Sequence, residues 1–240
     1  MDDQNVELTI IVPVYDEEDN LARVGRELAA YLDRTPTRAK VLFVNDGSRD
    51  RSAELIESLC AADRRFGYVH LRRNGGLSTA LKAGFDHVDT PYAGYIDSDL
   101  QTSPDDFDAL MPFAGEYALV TGVRVNRKDT FVKNLSSRIA NGIRRAVTHD
   151  GASDTGCPLK IIRSDVAKRI PFFKGMHRFL PALVQLEGGQ VKEVPVRHFP
   201  RVAGQSKYHL WNRLLGPAAD LMGYRWMRKR YIRYEVAKQG

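Results

Sequence analysis

The 240-residue chain has only two cysteines, Cys60 and Cys157, and no CxxC pair. Neither a disulfide framework nor a cysteine-held zinc is therefore indicated, and a reducing cytoplasm is the natural compartment. Long apolar runs are also missing: nothing approaches the ~18 residues that a spanning helix needs. The first ten residues, MDDQNVELTI, are acidic where a signal peptide is basic. We expect neither secretion nor a membrane crossing. Internal repeats and low-complexity tracts are absent too, and 43% hydrophobic with 28% charged residues is ordinary for a globular chain, which excludes disordered and fibrous classes. The length suits one large domain with a short appendage. Acids are scarce at one end, since residues 201–240 hold nine Lys/Arg against Asp220 and Glu235 and so carry +7, leaving −1 on residues 1–200. A surface that meets something anionic is implied, either nucleic acid or a membrane face.

What is present is an alternation. Short apolar runs at 8–14, 40–45, 68–71 and 92–96 read as buried strands. Between them, Glu18–Leu32, Ser52–Ala62 and Ser78–Val88 carry apolar residues at helical spacing. This order predicts an α/β fold with a mostly parallel sheet and helices on both faces, in which ligands gather at the carboxyl ends of strands. Polar clusters fall at those ends: Tyr15-Asp16-Glu17, Asp46-Gly47-Ser48 and Asp97-Ser98-Asp99. Further on, 118–123, 158–162 and 189–199 read as strands and Arg178–Leu186 as a helix. Lys133–Val147 is a basic amphipathic helix in pattern, and Leu210–Val236 is helical with an interruption at Gly216-Pro217.

Two carboxylates and an amide oxygen, from Asp97, Asp99 and Gln101, leave one strand end within five residues. Hard oxygen donors so spaced suit Mg²⁺ or Mn²⁺ completed by phosphate oxygens. The competing reading is an acidic turn that caps a helix starting near Pro104. Asp46-Gly47-Ser48 with Asp50 is likewise either a binding loop or a turn and N-cap.

Taken together, these motifs resemble glycosyltransferase family 2, in its dolichol-phosphate mannose synthase and bacterial polyprenyl-phosphate glycosyltransferase branch. Pro13-Val14-Tyr15-Asp16-Glu17 is similar to the family's PxYNE, with Asp16 in place of asparagine. Asn45-Asp46-Gly47-Ser48 is similar to DDGS, with Asn45 in place of the first acid, and Asp97-Ser98-Asp99-Leu100-Gln101 to DADLQ. The resemblance implies a GT-A fold, a Rossmann-like nucleotide-diphospho-sugar transferase architecture. It implies nucleotide contacts from Pro13, Tyr15, Glu17, Asp46, Asp97 and Ser98, and a metal and diphosphate clamp from Asp97, Asp99 and Gln101. On the acceptor side Gly122-Val123-Arg124 is similar to GSR and Ser137-Arg138-Ile139-Ala140-Asn141 to SRxxN. Arg178 with its RFLPAL segment, Glu193-Val194-Pro195-Val196, and Lys207 within Arg201–Tyr208 match further branch segments. These imply an acceptor-phosphate set of Arg124, Ser137, Arg138, Arg178 and Lys207, with Asp99, Arg124 and Arg138 central to catalysis. Asp154–Lys160 departs from the branch's SGFR-like turn, having no serine before Gly156 and a proline at 158.

The expected activity is inverting transfer of a sugar from a UDP- or GDP-sugar to polyprenyl phosphate. A phosphomonoester is already anionic near neutral pH and needs no general base. Family 2 enzymes acting on sugar hydroxyls typically carry a Glu-Asp base before their acceptor helix, whereas Lys174–Arg178 contains no acid. Residues 1–205 are expected to form the catalytic domain, and 206–240 a basic amphipathic tail for the inner membrane face, with His177 and His198 as packing residues. The chain is expected to be peripheral or to use a separate membrane-anchored subunit, and a homo-oligomer stays open. Three rival readings stand beside this one. A nucleotidyltransferase lacks its Gly-rich loop here; a nucleic-acid module lacks any recognised motif; a family 2 enzyme acting on a hydroxyl acceptor, in polysaccharide or cell-envelope glycan synthesis, is the alternative.

Overall fold

In this computed structural model, residues 6–125, 142, 144–200, 215–234 and 236–238 are described. Among the described residues, seven strands form one sheet in the order β3-β2-β1-β4-β6-β5-β7. They are β1 Leu8–Val14, β2 Ala39–Asn45, β3 Phe66–His70, β4 Tyr92–Tyr95, β5 Leu119–Arg124, β6 Lys160–Arg163 and β7 Val191–Val196. All neighbouring strands run parallel except β6, which is antiparallel to both β4 and β5. Among the described residues the helices are α1 Glu18–Arg34, α2 Ser52–Ala62, α3 Leu77–His87, α4 Phe107–Leu110, α5 Ser164–Arg169, α6 Leu180–Leu186 and α7 Leu215–Arg228, and residues 144–148 are also helical.

Strands covered on both faces must be apolar almost throughout, and β1 is the example. Leu8, Ile10, Val12 and Val14 enter a core shared with Leu21, Val24 and Leu28 of α1 and Ile56 of α2. Ile11 enters the opposite core with Leu81 and Phe85 of α3, Val166 of α5 and Leu183 of α6. Helices thus cover both faces, as expected. The register Val14↔Asn45, Ile11↔Tyr95, Tyr95↔Lys160 and Arg124↔Val196 brings the ends of β1, β2, β4, β5 and β7 and the start of β6 to one edge.

Two expectations are corrected. The segment 176–178 is a 3₁₀ turn, and α6 begins only at Leu180. The C-terminal helix stops at Arg228 rather than continuing toward Val236. Its Gly216-Pro217 pair lies inside the first turn, where proline's missing N–H is not needed; residues 210–214 lie outside the described residues. One side of α7 belongs to the fold. Tyr224 is buried and stacks on Phe179 at 5.8 Å, and Leu221 and Met227 pack on the same core. No described helix is long and apolar enough to cross a membrane.

Candidate active site

The first two strand-end loops are laced together. Asp16 N donates to Ser48 Oγ (3.0 Å), and Asp16 Oδ1 accepts from Arg49 N (2.7 Å). Glu17 N donates to Ser52 Oγ (3.0 Å) and Asn45 Oδ1 accepts from Ser48 N (3.0 Å). Pro13, Tyr15 and Glu17 are partly buried along this seam. The Glu17 carboxylate also accepts a 2.6 Å bond from Asn20.

Asp46 has a structural task that the motif did not reveal. Its buried carboxylate accepts from Asn74 Nδ2 (2.9 Å), Gly75 N (2.8 Å) and Gly76 N (2.7 Å), drawing the loop before α3 over the end of β2. Gly47 between these loops has φ +66°, and a Cβ there would stand 2.5 Å from the backbone of Arg73. Only glycine fits both conditions.

Asp97, Ser98 and Asp99 leave β4 together, with Ser98 and Asp99 buried and Asp97 partly so. Burial and the neighbouring Asp99 push the Asp97 carboxyl up to about 6, while a 2.6 Å hydrogen bond from the Tyr95 hydroxyl opposes the rise. A carboxyl that resists ionising beside a second acid belongs to a set that a cation would relieve. The cap-only reading fails in one respect: the 3₁₀ turn Pro104–Asp106 ahead of α4 is capped by the Ser103 side chain, not by either aspartate. The carbonyl of Gln101 accepts from Phe199 N (2.8 Å) and is 3.1 Å from His198 Nδ1, tying the turn to the exit of β7.

On the other side of this edge, Arg124 ends β5. Its guanidinium grips Asp154 through two 2.8 Å bonds, both side chains being mostly buried. Burial alone would raise the Asp154 carboxyl, but Arg124 outweighs it and holds the group below its usual value. Asp154 rides on a loop tethered three times more. Glu193 accepts from Ser153 N (2.7 Å) and Ser153 Oγ (2.8 Å), Lys160 donates to the carbonyls of Thr155 and Cys157, and Asp150 pairs with buried Arg144. Lys160 is itself buried; desolvation lowers its pKa, and the charges of Asp154 and Asp97 work against that. Asp97 and Arg124 lie within electrostatic reach of each other. The sequence singled out neither Asp154 as a partner nor Lys160 as a tether, because both contacts form only when β6 returns antiparallel.

Arg178 is partly buried, 3.8 Å from Asp220 of α7. Asp220 also lies against Gly175, so an acid reaches the 174–178 turn after all, supplied from forty residues downstream. Burial raises the Asp220 carboxyl, against the pull of Arg178. His177 is neutral, its pKa lowered to about 3 by burial and then by Arg178 and Lys160, and its Nδ1 lies 2.9 Å from Ser78 Oγ. Ser137, Arg138 and Lys207 lie outside the described residues.

Comparison with known proteins places this geometry. The profile described as "Glycosyl transferase family 2" matches residues 9–171. The undecaprenyl-phosphate 4-deoxy-4-formamido-L-arabinose transferase of Edwardsiella ictaluri is 34% identical over 207 residues, covering 85% of this chain. The alignment spans 63% of that relative's own length. A mannosyltransferase from Pyrobaculum calidifontis, solved with GDP-Man and Mn²⁺, superposes with a TM-score of 0.67 at 16% identity, covering 97% of this chain and 66% of that one. Glucosyl-3-phosphoglycerate synthase from Mycobacterium tuberculosis, solved with Mn²⁺, UDP-glucose and phosphoglyceric acid, gives 0.68 at 12% identity, covering 95% and 81%. These likenesses show the fold, which is GT-A.

Proposed function

The chain belongs to glycosyltransferase family 2, and on that premise we propose that it transfers a sugar from a UDP- or GDP-sugar to a polyprenyl phosphate, inverting the anomeric centre. The observation that carries the reading is the meeting, at one sheet edge, of an acidic turn with a mostly buried arginine within its electrostatic reach. Such an edge has a side for a cation with a diphosphate and a side for an anionic nucleophile.

Pro13, Tyr15 and Glu17 would line the base pocket, with Asp46 shaping it through its grip on the 74–76 loop. Asp97, Asp99 and Gln101, with Ser98 between them, suit Mg²⁺ or Mn²⁺, since such ions accept few protein oxygens when phosphates complete the shell. When bound, the ion would supply charge stabilisation for the departing diphosphate. The chain's own work is then positioning. Arg124, fixed by Asp154, offsets the charge of the acceptor phosphate as it nears the donor, and a guanidinium fork suits that phosphate. Arg138, Ser137, Arg178 and Lys207 complete the acceptor side in this reading. The acceptor oxygen is already ionised, so no residue has to remove a proton.

The outer side of α7 supports a membrane-surface location, at the cytoplasmic face in this reading. Met222 is 72% and Trp226 61% exposed, and Arg225, Lys229 and Arg230 lie beside them. A helix with basic and interfacial side chains can lie in an anionic headgroup layer. Residues 206–240 would then join the catalytic domain to the surface that holds its substrate, alone or with a membrane-anchored subunit.

Asp220 favours a second reading. A carboxyl of raised pKa at the 174–178 turn could serve as base for a sugar hydroxyl. The test is a panel of nucleotide sugars with Mn²⁺ and either undecaprenyl phosphate or an oligosaccharide acceptor, run on the chain and on Arg124→Ala and Asp220→Asn. Lipid-linked product lost in Arg124→Ala with nucleotide binding intact supports the proposal. Product on the oligosaccharide alone, lost in Asp220→Asn, replaces it by the second reading.

A further inference from the structure

The acidic turn holds its shape against a local preference. Leu100, between Asp99 and Gln101, has φ +48°, a left-handed backbone that a leucine rarely adopts. Its side chain is buried in the core, so it cannot relax by turning outward. Two bonds inside the turn, Leu100 N to Asp97 O (3.2 Å) and Gln101 N to Asp99 Oδ1 (3.1 Å), depend on that conformation and do not enforce it.

Enforcement comes from outside. Arg23 of α1, far away in sequence, donates from Nη2 to the carbonyl of Asp99 at 2.9 Å. That carbonyl belongs to the peptide plane joining Asp99 to Leu100, and the φ of Leu100 is the rotation about one end of that plane. Turning the plane over would carry φ to the ordinary negative side and swing the carbonyl away from Arg23. Beyond Leu100, the next carbonyl, that of Gln101, is fixed by Phe199 N. The turn is clamped on both flanks, and Arg23 holds the strained one. Its Nε is buried without a hydrogen-bond partner among the described residues. A buried guanidinium nitrogen left unpaired is costly; its retention is explained if Nη2 has a task.

We propose that Arg23 is a positioning residue for the acidic turn: it locks the Asp99–Leu100 peptide and so sets the separation and aim of the Asp97 and Asp99 carboxylates. The inference deepens the proposed function and rests on reading that turn as the cation-holding side. Residues that orient a metal's ligands typically govern about 10–100-fold in affinity.

The test uses Arg23→Met, which keeps the packed stem, and Arg23→Lys, which keeps the charge without the fork. Mn²⁺ is titrated into each chain with UDP and, separately, with GDP, and free Mn²⁺ is read by electron paramagnetic resonance. Hydrogen exchange of the Leu100 and Gln101 amides is followed in parallel. We expect Mn²⁺ binding weaker by about tenfold in Arg23→Met, faster exchange at both amides, and recovery to within about threefold in Arg23→Met/Leu100→Gly, because glycine takes positive φ freely. Unchanged exchange, or lost Mn²⁺ affinity that Leu100→Gly does not recover, overturns the proposal. If the parent chain binds no Mn²⁺ with either nucleotide while Arg23→Met still exchanges faster, the cation reading fails and the clamp stands.

Discussion

Replacing Asp97 by asparagine separates what the acidic turn does for function from what it does to stability. Burial and Asp99 raise this carboxyl from 3.8 to about 6 in the folded chain. Between those two values the native state binds more protons than the unfolded state, so stability falls as pH rises through the interval. The penalty is absent below about pH 4 and complete above about pH 6. At about 1.4 kcal/mol per tenfold, the rise corresponds to at most about 3 kcal/mol. Asparagine never ionises and keeps an oxygen to accept from the Tyr95 hydroxyl, now 2.6 Å from Oδ1. Denaturant unfolding in EDTA should therefore show Asp97→Asn more stable than the parent by about 1–3 kcal/mol near pH 7.5 and no more stable near pH 4. The same variant should lose Mn²⁺-dependent transfer. A stability difference that is the same at both pH values would refute the electrostatic account of the turn.

Other outcomes follow from the same geometry. Asp154→Asn leaves a mostly buried Arg124 without its carboxylate and should cost about 3 kcal/mol in denaturant unfolding, while raising the KM for polyprenyl phosphate more than that for the nucleotide sugar. Gly47→Ala must meet both a positive φ and the backbone of Arg73, so it should lose about 2 kcal/mol or more and weaken nucleotide binding in calorimetry. Trp226→Ser, at an exposed position, should leave stability within about 0.5 kcal/mol yet reduce sedimentation with phosphatidylglycerol vesicles. Tyr224→Ala, two residues away and on the opposite, buried side of the helix, should instead cost about 3 kcal/mol by emptying the stack on Phe179.

Much of this molecule was legible because its central strands are covered on both faces. LTIIVPV and AKVLFVN need little more than their hydrophobicity to be recognised, and the polar residues that follow them must lie at one edge once the strands run parallel. The direction of β6 was not legible, since four residues of KIIR pair equally well either way. With it went the partners that its reversal creates, Asp154 for Arg124 and the Lys160 tether on the loop between them. The task of Asp46 was hidden for a different reason. A DGS motif is compatible with a ligand contact and with a loop clamp, and only the three donors at 2.7–2.9 Å show the clamp. The end of α7 was misplaced because arginine, tyrosine and isoleucine continue beyond Arg228 at spacings a helix would also use. Asp220 and Arg23 were missed because each acts on a segment far from it in sequence, and no local pattern carries such a signal.

The most direct measurement is transfer from radiolabelled UDP- and GDP-sugars to undecaprenyl phosphate by the purified chain, with Mn²⁺ and with excess EDTA. We predict a lipid-linked product that forms with Mn²⁺, disappears in EDTA and disappears in Arg124→Ala. Turnover undiminished in EDTA, or a product that Arg124→Ala forms as well as the parent, would contradict a cation and an arginine acting across one cleft.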